Sequence, residues 1–269
     1  MLEPAVYFIG AGPGAPDLLT IRGQRIIASA DVIVIADSLV HPGICDSARP
    51  DAAIYGSSTL PLEQILTIMI TAARAGKCIA RVHSGDPSIY GAIHEQMVAL
   101  DAAGIPYEII PGVSSAFAAA AAVRTELTIP DVAQSVIFTR VSGRTGLPGK
   151  ERLAAFAAHG TTMVIFLSIA HIDQVAAELR EGGYPPGTPI TVAYRVTWED
   201  QAIWHVTLDT VVELVRRERI ARQALLMVGP VFDPAIHRWG VEQHSHLYDA
   251  AYTHMFRKGT WRRPSKEAQ

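Results

Sequence analysis

An apolar run from Cys78 to Val82 stops in Ser84-Gly85-Asp86-Pro87, and the chain repeats that event at two other places. A first run, Ala5 to Ile9, stops in Gly10-Ala11-Gly12-Pro13-Gly14; another, Tyr107 to Ile110, stops in Pro111-Gly112-Val113-Ser114-Ser115. A short apolar run that breaks at Gly and Pro and resumes with helical spacing reads as a strand, a tight turn and a helix. Three such junctions in one half of a chain demand a mostly parallel sheet, because parallel strands need helical crossovers that cover both faces. In open sheets of this kind ligands bind beyond the carboxyl ends of the strands. Gly85 lets backbone approach a ligand closely, and Pro87 fixes the bend. Any one of these turns could be an ordinary loop; together they outline a binding crevice.

The remaining elements follow the same grammar. Leu18–Ala30 has helical spacing, Val32–Ile35 and Ala53–Tyr55 are strands, and Pro61–Ala75 is a helix with Gly76 just past its end. A helix is expected from Ile89 to Ala103, and an alanine-dense one from Val113 to Val123. Thr128-Ile129-Pro130-Asp131 breaks the pattern. After it come strands at Ser135–Thr139 and Thr162–Leu167, with helices at Glu151–His159 and Ala170–Arg180. A hairpin, Pro189–Tyr194 with Ala202–Thr207, turns at Trp198-Glu199-Asp200, and the helix Leu208–Arg219 and strand Ala224–Val228 close the series. The hairpin makes the second sheet mixed. The expected division is an N-terminal α/β domain over 1–127, a C-terminal α/β domain over 128–233 and a tail over 234–269.

With 269 residues, 49% hydrophobic and 18% charged, the chain can bury two modest cores. A net charge of −3 supplies no field that would draw nucleic acid or a membrane surface. Apolar runs such as Val164–Leu167 are too short to span a bilayer. No leader pattern precedes the first strand, and Cys45 and Cys78 form neither a disulfide framework nor a zinc spacing. The expected setting is cytoplasmic.

Several motifs invite chemistry and are answered by spacing. Gly10 to Gly14 misses the dinucleotide fingerprint, since Ala15 stands where the third glycine belongs and Pro13 lacks an amide donor. A nicotinamide-dependent oxidoreductase using Asp37 as the ribose acid is kept as the alternative of a different class. His237, His244, His246 and His254 match no ligand set, so no metal is expected. There is no nucleophile elbow and no Cys–His pattern. Ser114 and Ser115 can cap the helix that follows them, or face a ligand shared with Ser84, Gly85 and Asp86. Arg140 and Arg144 lie in a polar loop after a strand, where arginine forks suit carboxylates.

Taken together, the segments resemble one family. Gly10-Ala11-Gly12-Pro13-Gly14-Ala15-Pro16-Asp17-Leu18-Leu19-Thr20 is similar to its first signature, with Ala15 where Asp is usual. Gly85-Asp86-Pro87 with Tyr90-Gly91, and Pro111-Gly112-Val113-Ser114-Ser115, are similar to its second and third. The family is the class III, tetrapyrrole-type S-adenosylmethionine methyltransferases, and the resemblance runs from about Val6 to Phe232. Ala36-Asp37-Ser38-Leu39-Val40, the Thr139–Thr145 loop, Ser245–Asp249 and Thr253–Arg257 resemble the branch that methylates corrin-ring precursors of cobalamin at C(11). Gly56-Ser57-Ser58 stands where the uroporphyrinogen-III branch carries a Lys-Arg pair.

The resemblance implies two α/β domains with S-adenosyl-L-methionine in the cleft between them, usually in a homodimer, and a polycarboxylate tetrapyrrole as substrate. It implies cofactor contacts from Pro13, Ser84, Gly85, Asp86, Ile89, Ser114, Ser115, Leu167 and Ala193. It implies substrate contacts from Arg140 and Arg144, with Arg22 and Arg195 as further candidates. Asp37 matches the position of a proton acceptor proposed in a uroporphyrinogen relative.

Overall fold

The computed structural model describes residues 3–143, 146–236 and 251–259. The chain divides into two compact units. One comprises the residues up to Arg124 together with 193–204 and 220–225; the other holds 125–192, 205–219 and 226 onward.

The first sheet has the order β3-β2-β4-β1-β5, built from β1 (Val6–Gly10), β2 (Val32–Ile35), β3 (Ala53–Gly56), β4 (Ile79–His83) and β5 (Tyr107–Ile110). Every pairing in it is parallel. All residues of β1, β2 and β4 are buried, as strands covered on both faces must be. One apolar layer joins Ile9, Ile33, Ala80 and Val82 to Ile26 and Ile27 of α1 (Ile21–Ile27). The opposite layer joins Phe8, Val34 and Ile79 to Met69 of α2 (Leu62–Arg74) and Leu100 of α3 (His94–Ala103). The alanine-rich α4 (Ser115–Ala122) follows β5.

Most helices start a few residues later than expected, and for α1 and α3 the reason is local. α1 begins at Ile21 because the Thr20 hydroxyl accepts the Gly23 amide proton at 3.1 Å, a side-chain cap. α3 begins at His94, not Ile89, because Tyr90 and Ala92 have φ of 56° and 50°, which no right-handed helix accommodates.

The second sheet has the order β6-β7-β10-β8-β9, from β6 (Val136–Thr139), β7 (Thr162–Ile165), β8 (Pro189–Tyr194), β9 (Ala202–Thr207) and β10 (Ala224–Val228). It is mixed: β6 runs parallel to β7, while β10 runs antiparallel to β7 with Met227 opposite Val164. Its helices are α5 (Leu153–Ala157), α6 (Ile172–Glu181) and α7 (Val211–Arg217). Among the described residues no helix is long and apolar enough to cross a membrane, and no group of three metal-ligating side chains converges.

Candidate active site

The three glycine-bearing junctions meet at the carboxyl edge of the first sheet, where β4, β1 and β5 are neighbours. They meet backbone to backbone. A Cβ on Gly10 would stand 2.6 Å from the Gly112 Cα and from the Gly85 carbonyl oxygen, so neither Gly10 nor Gly112 has room for a side chain. Gly12 and Gly85 exchange both of their backbone hydrogen bonds, at 3.2 and 2.8 Å. Gly85 holds φ at +63°, the left-handed region, and its surroundings are less crowded: a Cβ there would meet only Ser114 Cα at 3.8 Å and Ser115 N at 3.9 Å. Backbone strain, and not crowding by the protein, demands glycine at this point.

Asp86 braces this edge from within. One carboxylate oxygen accepts the Ser88 amide proton at 2.8 Å and the other accepts that of Gly112 at 2.9 Å. Its side chain thus ties the β4 turn to the β5 turn. Ser114 caps α4, its hydroxyl accepting from the Ala116 amide at 3.3 Å, while Ser115 opens the helix half-buried. Ser84 and Ile89 are also half-buried, and Pro13 is buried. The structure therefore brings Pro13, Ser84, Gly85, Asp86, Ser114 and Ser115 onto one edge of the first sheet. In one respect these residues fit an S-adenosyl group: apart from its chain neighbours, no protein atom comes within 3.8 Å of where a Cβ of Gly85 would stand.

Asp37 follows β2 and is exposed. Its two oxygens accept from the Ser58 amide at 2.9 Å and from the Ser58 hydroxyl at 2.8 Å. These bonds, the hydroxyl's first, hold its carboxyl below the usual carboxylate range, so it is ionised at neutral pH.

The two arginines offered as further carboxylate partners are engaged inside the first unit. Arg22 pairs with Glu108, and Arg195 pairs with Asp200 at 2.6 Å and donates to Gln223 at 2.9 Å.

In the second unit, the turn after β7 projects Leu167. It is 67% exposed with φ of 53°, between buried Phe166 and buried Ser168. The Ser168 hydroxyl accepts the Val141 amide proton at 2.9 Å and donates to the Phe166 carbonyl at 2.6 Å, joining the turn to the loop after β6. Arg140, in that loop, donates to the carbonyls of Val141 at 3.3 Å and Gly146 at 3.1 Å. Arg144 and the histidines 237, 244 and 246 lie outside the described residues. Ala193, on β8 and grouped with the first unit, is buried.

Sequence reasoning missed two features. Arg81 and His83, both 5% exposed, project from the same side of β4. Arg81 donates to Gln96 at 3.1 Å, to the Val34 carbonyl at 3.2 Å and to the Ser57 hydroxyl at 3.3 Å. Burial pushes Arg81 down to about 10; burial and the neighbouring guanidinium push His83 down to about 3, so His83 is neutral at physiological pH. The available signal was an arginine inside an apolar strand. The second is Trp198, which lies against the Pro13 loop and had no signal beyond its place in a hairpin turn.

A first sheet whose strand tips fuse through glycine, followed by a mixed sheet, defines a two-unit α/β class with a ligand-binding edge of main-chain groups. The family model described as Tetrapyrrole (Corrin/Porphyrin) Methylases matches residues 5–212, and the chain belongs to that family. It is 47% identical over 94% of its length to the cobalt-precorrin-4 C(11)-methyltransferase of Methanocaldococcus jannaschii, covering 96% of that protein. It is 43% identical over 94% of its length to the enzyme of the same name from Priestia megaterium, covering 98% of it. Among solved structures, a cobalamin biosynthetic enzyme, cobalt precorrin-4 methyltransferase CbiF, superposes with a TM-score of 0.84 at 42% identity, covering 86% of this chain and 97% of that one. The uroporphyrin-III C-methyltransferase of Thermus thermophilus, complexed with S-adenosylhomocysteine, gives 0.71 at 28% identity, covering 84% and 98%.

Proposed function

We propose that this chain methylates C(11) of precorrin-4, or of its cobalt complex, in cobalamin biosynthesis, using S-adenosyl-L-methionine. The observation that carries the reading is the likeness to cobalt-precorrin-4 C(11)-methyltransferases across 94% of the chain, with the family match over residues 5–212 taking in all three glycine junctions. When bound, S-adenosyl-L-methionine supplies a methyl group activated by a sulfonium. The protein's own work is then to bind, align and exclude water, and it needs no covalent nucleophile.

Ser84, Gly85 and Asp86, with Pro13, Ile89, Ser114 and Ser115, would hold the cofactor. Leu167 would pack on its flat base, and main-chain atoms at Ala193 would complete the contacts. Alignment of this kind can lower a barrier by roughly 7–11 kcal/mol in favourable intramolecular cases. That suits an edge made of rigid, mutually braced turns. Asp37 would accept any proton the substrate sheds, at a carboxylate oxygen. Its depressed pKa makes it a weak base, adequate only for a proton already acidified by the bond being formed. Arg140 and Arg144 would meet substrate carboxylates through bidentate forks. We further propose a cytoplasmic homodimer; sedimentation of the purified protein reads the oligomeric state and cell fractionation the compartment.

The test is product identification. The protein is supplied with labelled cofactor and with precorrin-4 or cobalt-precorrin-4, and the product is placed by mass spectrometry and NMR. One new methyl group at C(11) is expected. A methyl on another carbon moves the chain to a different branch of the family, and no transfer to any precorrin or to uroporphyrinogen-III ends the reading.

A further inference from the structure

The loop after β1 does not hold its shape alone. The Trp198 indole N–H donates to the Pro13 carbonyl at 3.1 Å, and the Thr197 hydroxyl accepts the Ala15 amide proton at 2.9 Å. Gly14, between them, lies under the indole: a Cβ there would stand 2.5 Å from Trp198 Nε1 and 2.9 Å from Thr197 Oγ1. The ring is held on other sides as well. His41 packs on it at 5.1 Å and 58°, and the Arg195 guanidinium lies 4.3 Å from its centroid. Arg195 is in turn fixed by Asp200 and Gln223. All of these residues belong to the first unit, although Arg195 to Asp200 are more than 180 positions from Pro13 in sequence.

The segment holds this arrangement against its own backbone preference. Arg195 and Thr197 have φ of 43° and 70°, and Gln223, the partner of Arg195 from the turn before β10, has φ of 55°. For residues with side chains that region is sterically unfavourable, and for a β-branched threonine it is a genuine outlier. A segment that merely joined β8 to β9 would relax with Gly or Asn at positions 195 and 197. Strain of this sort persists where the surroundings over-determine it, which is characteristic of functional sites.

We infer that Trp198 and Thr197 are positioning residues for the methyl-donor site: they latch Pro13, Gly14 and Ala15 into the one shape that can face the cofactor, and so set its affinity through the loop. This rests on the reading of the first-sheet edge as the cofactor site. Gly14 follows from the same device, since the indole occupies the space of its side chain.

Three measurements on the full-length protein test it. Hydrogen exchange across residues 12–18 needs no ligand; Trp198→Ala speeds exchange of the Ala15 amide there, and unchanged exchange overturns the latch whatever the protein binds. Calorimetry with S-adenosylhomocysteine gives about fivefold weaker binding for Trp198→Phe, the loss of one ordinary hydrogen bond, and a larger loss for Trp198→Ala. Wild-type affinity in Trp198→Ala, with only a lower melting temperature, would make the ring purely structural and overturn the proposal. Gly14→Ala weakens binding by displacing the indole, and adding Trp198→Ala to it costs nothing more than Trp198→Ala alone. Fully additive losses would show the two positions to be independent. Should Trp198→Ala fail to fold, Trp198→Phe and Thr197→Val carry the same comparison. Absence of binding in the wild type would sink the cofactor assignment and leave the exchange measurement to judge the latch.

Discussion

The turn after β4 in the first unit and the turn after β7 in the second both enter the left-handed region, and they do so with opposite residues. At the first, Gly85 takes φ of +63° without steric cost, amid turns whose backbones touch. At the second, Leu167 takes φ of 53° with a large apolar side chain 67% exposed. Glycine serves where main-chain atoms must come close to one another and to a ligand. A leucine held in the same conformation, and turned to solvent, spends backbone energy to present its side chain. The first turn is thus built for its backbone and the second for a surface.

The contrast breaks most easily at the first turn. Gly10→Ala forces a Cβ against the Gly112 backbone and the Gly85 carbonyl, atoms with no flexible end to give way. A loss of about 3 kcal/mol in urea unfolding is expected, at the upper end of overpacking costs, with loss of S-adenosylhomocysteine binding. A variant within 0.5 kcal/mol of wild type would mean that the turns are not in mutual contact.

His83 gives the same turn a pH signature. In the native state it takes up no proton until about pH 3, whereas in the unfolded chain it does so near 6.5. Between those values the unfolded chain binds the extra proton, so stability is full above about pH 6.5 and falls as pH drops. The slope is about 1.4 kcal/mol per pH unit. Urea titrations at pH 7.5 and 5.5 should show it, and His83→Leu should remove that part of the dependence. An unchanged slope in the variant would place His83 in water.

Leu167 yields the smallest effect and the sharpest contrast. Leu167→Gly relieves the left-handed strain, so thermal unfolding should show a protein as stable as wild type or up to about 1 kcal/mol more so. Affinity for S-adenosylhomocysteine should nevertheless fall. Unaltered affinity would remove Leu167 from the site.

These two turns also mark how far the sequence could be read. The parallel sheet, the mixed sheet and the three glycine junctions were legible because Gly, Pro and apolar runs act locally: β2, β5, β8, β9 and β10 lie where those runs lie. The start of α3 was not, since the positive φ of Tyr90 and Ala92 has no counterpart in residue type. The pairing of Trp198 with Pro13, and the grouping of 193–204 and 220–225 with the first unit, depend on long-range packing that no local pattern encodes. For Asp86 the residue was visible but its bonds were not: its carboxylate bridges two backbone amides.

The claim that the edge of the first sheet holds the methyl donor meets its most direct test at Gly85. A titration of S-adenosylhomocysteine into wild type and Gly85→Arg, each checked for its fold by circular dichroism, should give saturable binding by the wild type and none by a folded variant, because the new side chain would fill the open side of the turn. A folded Gly85→Arg that binds with wild-type affinity would contradict the account.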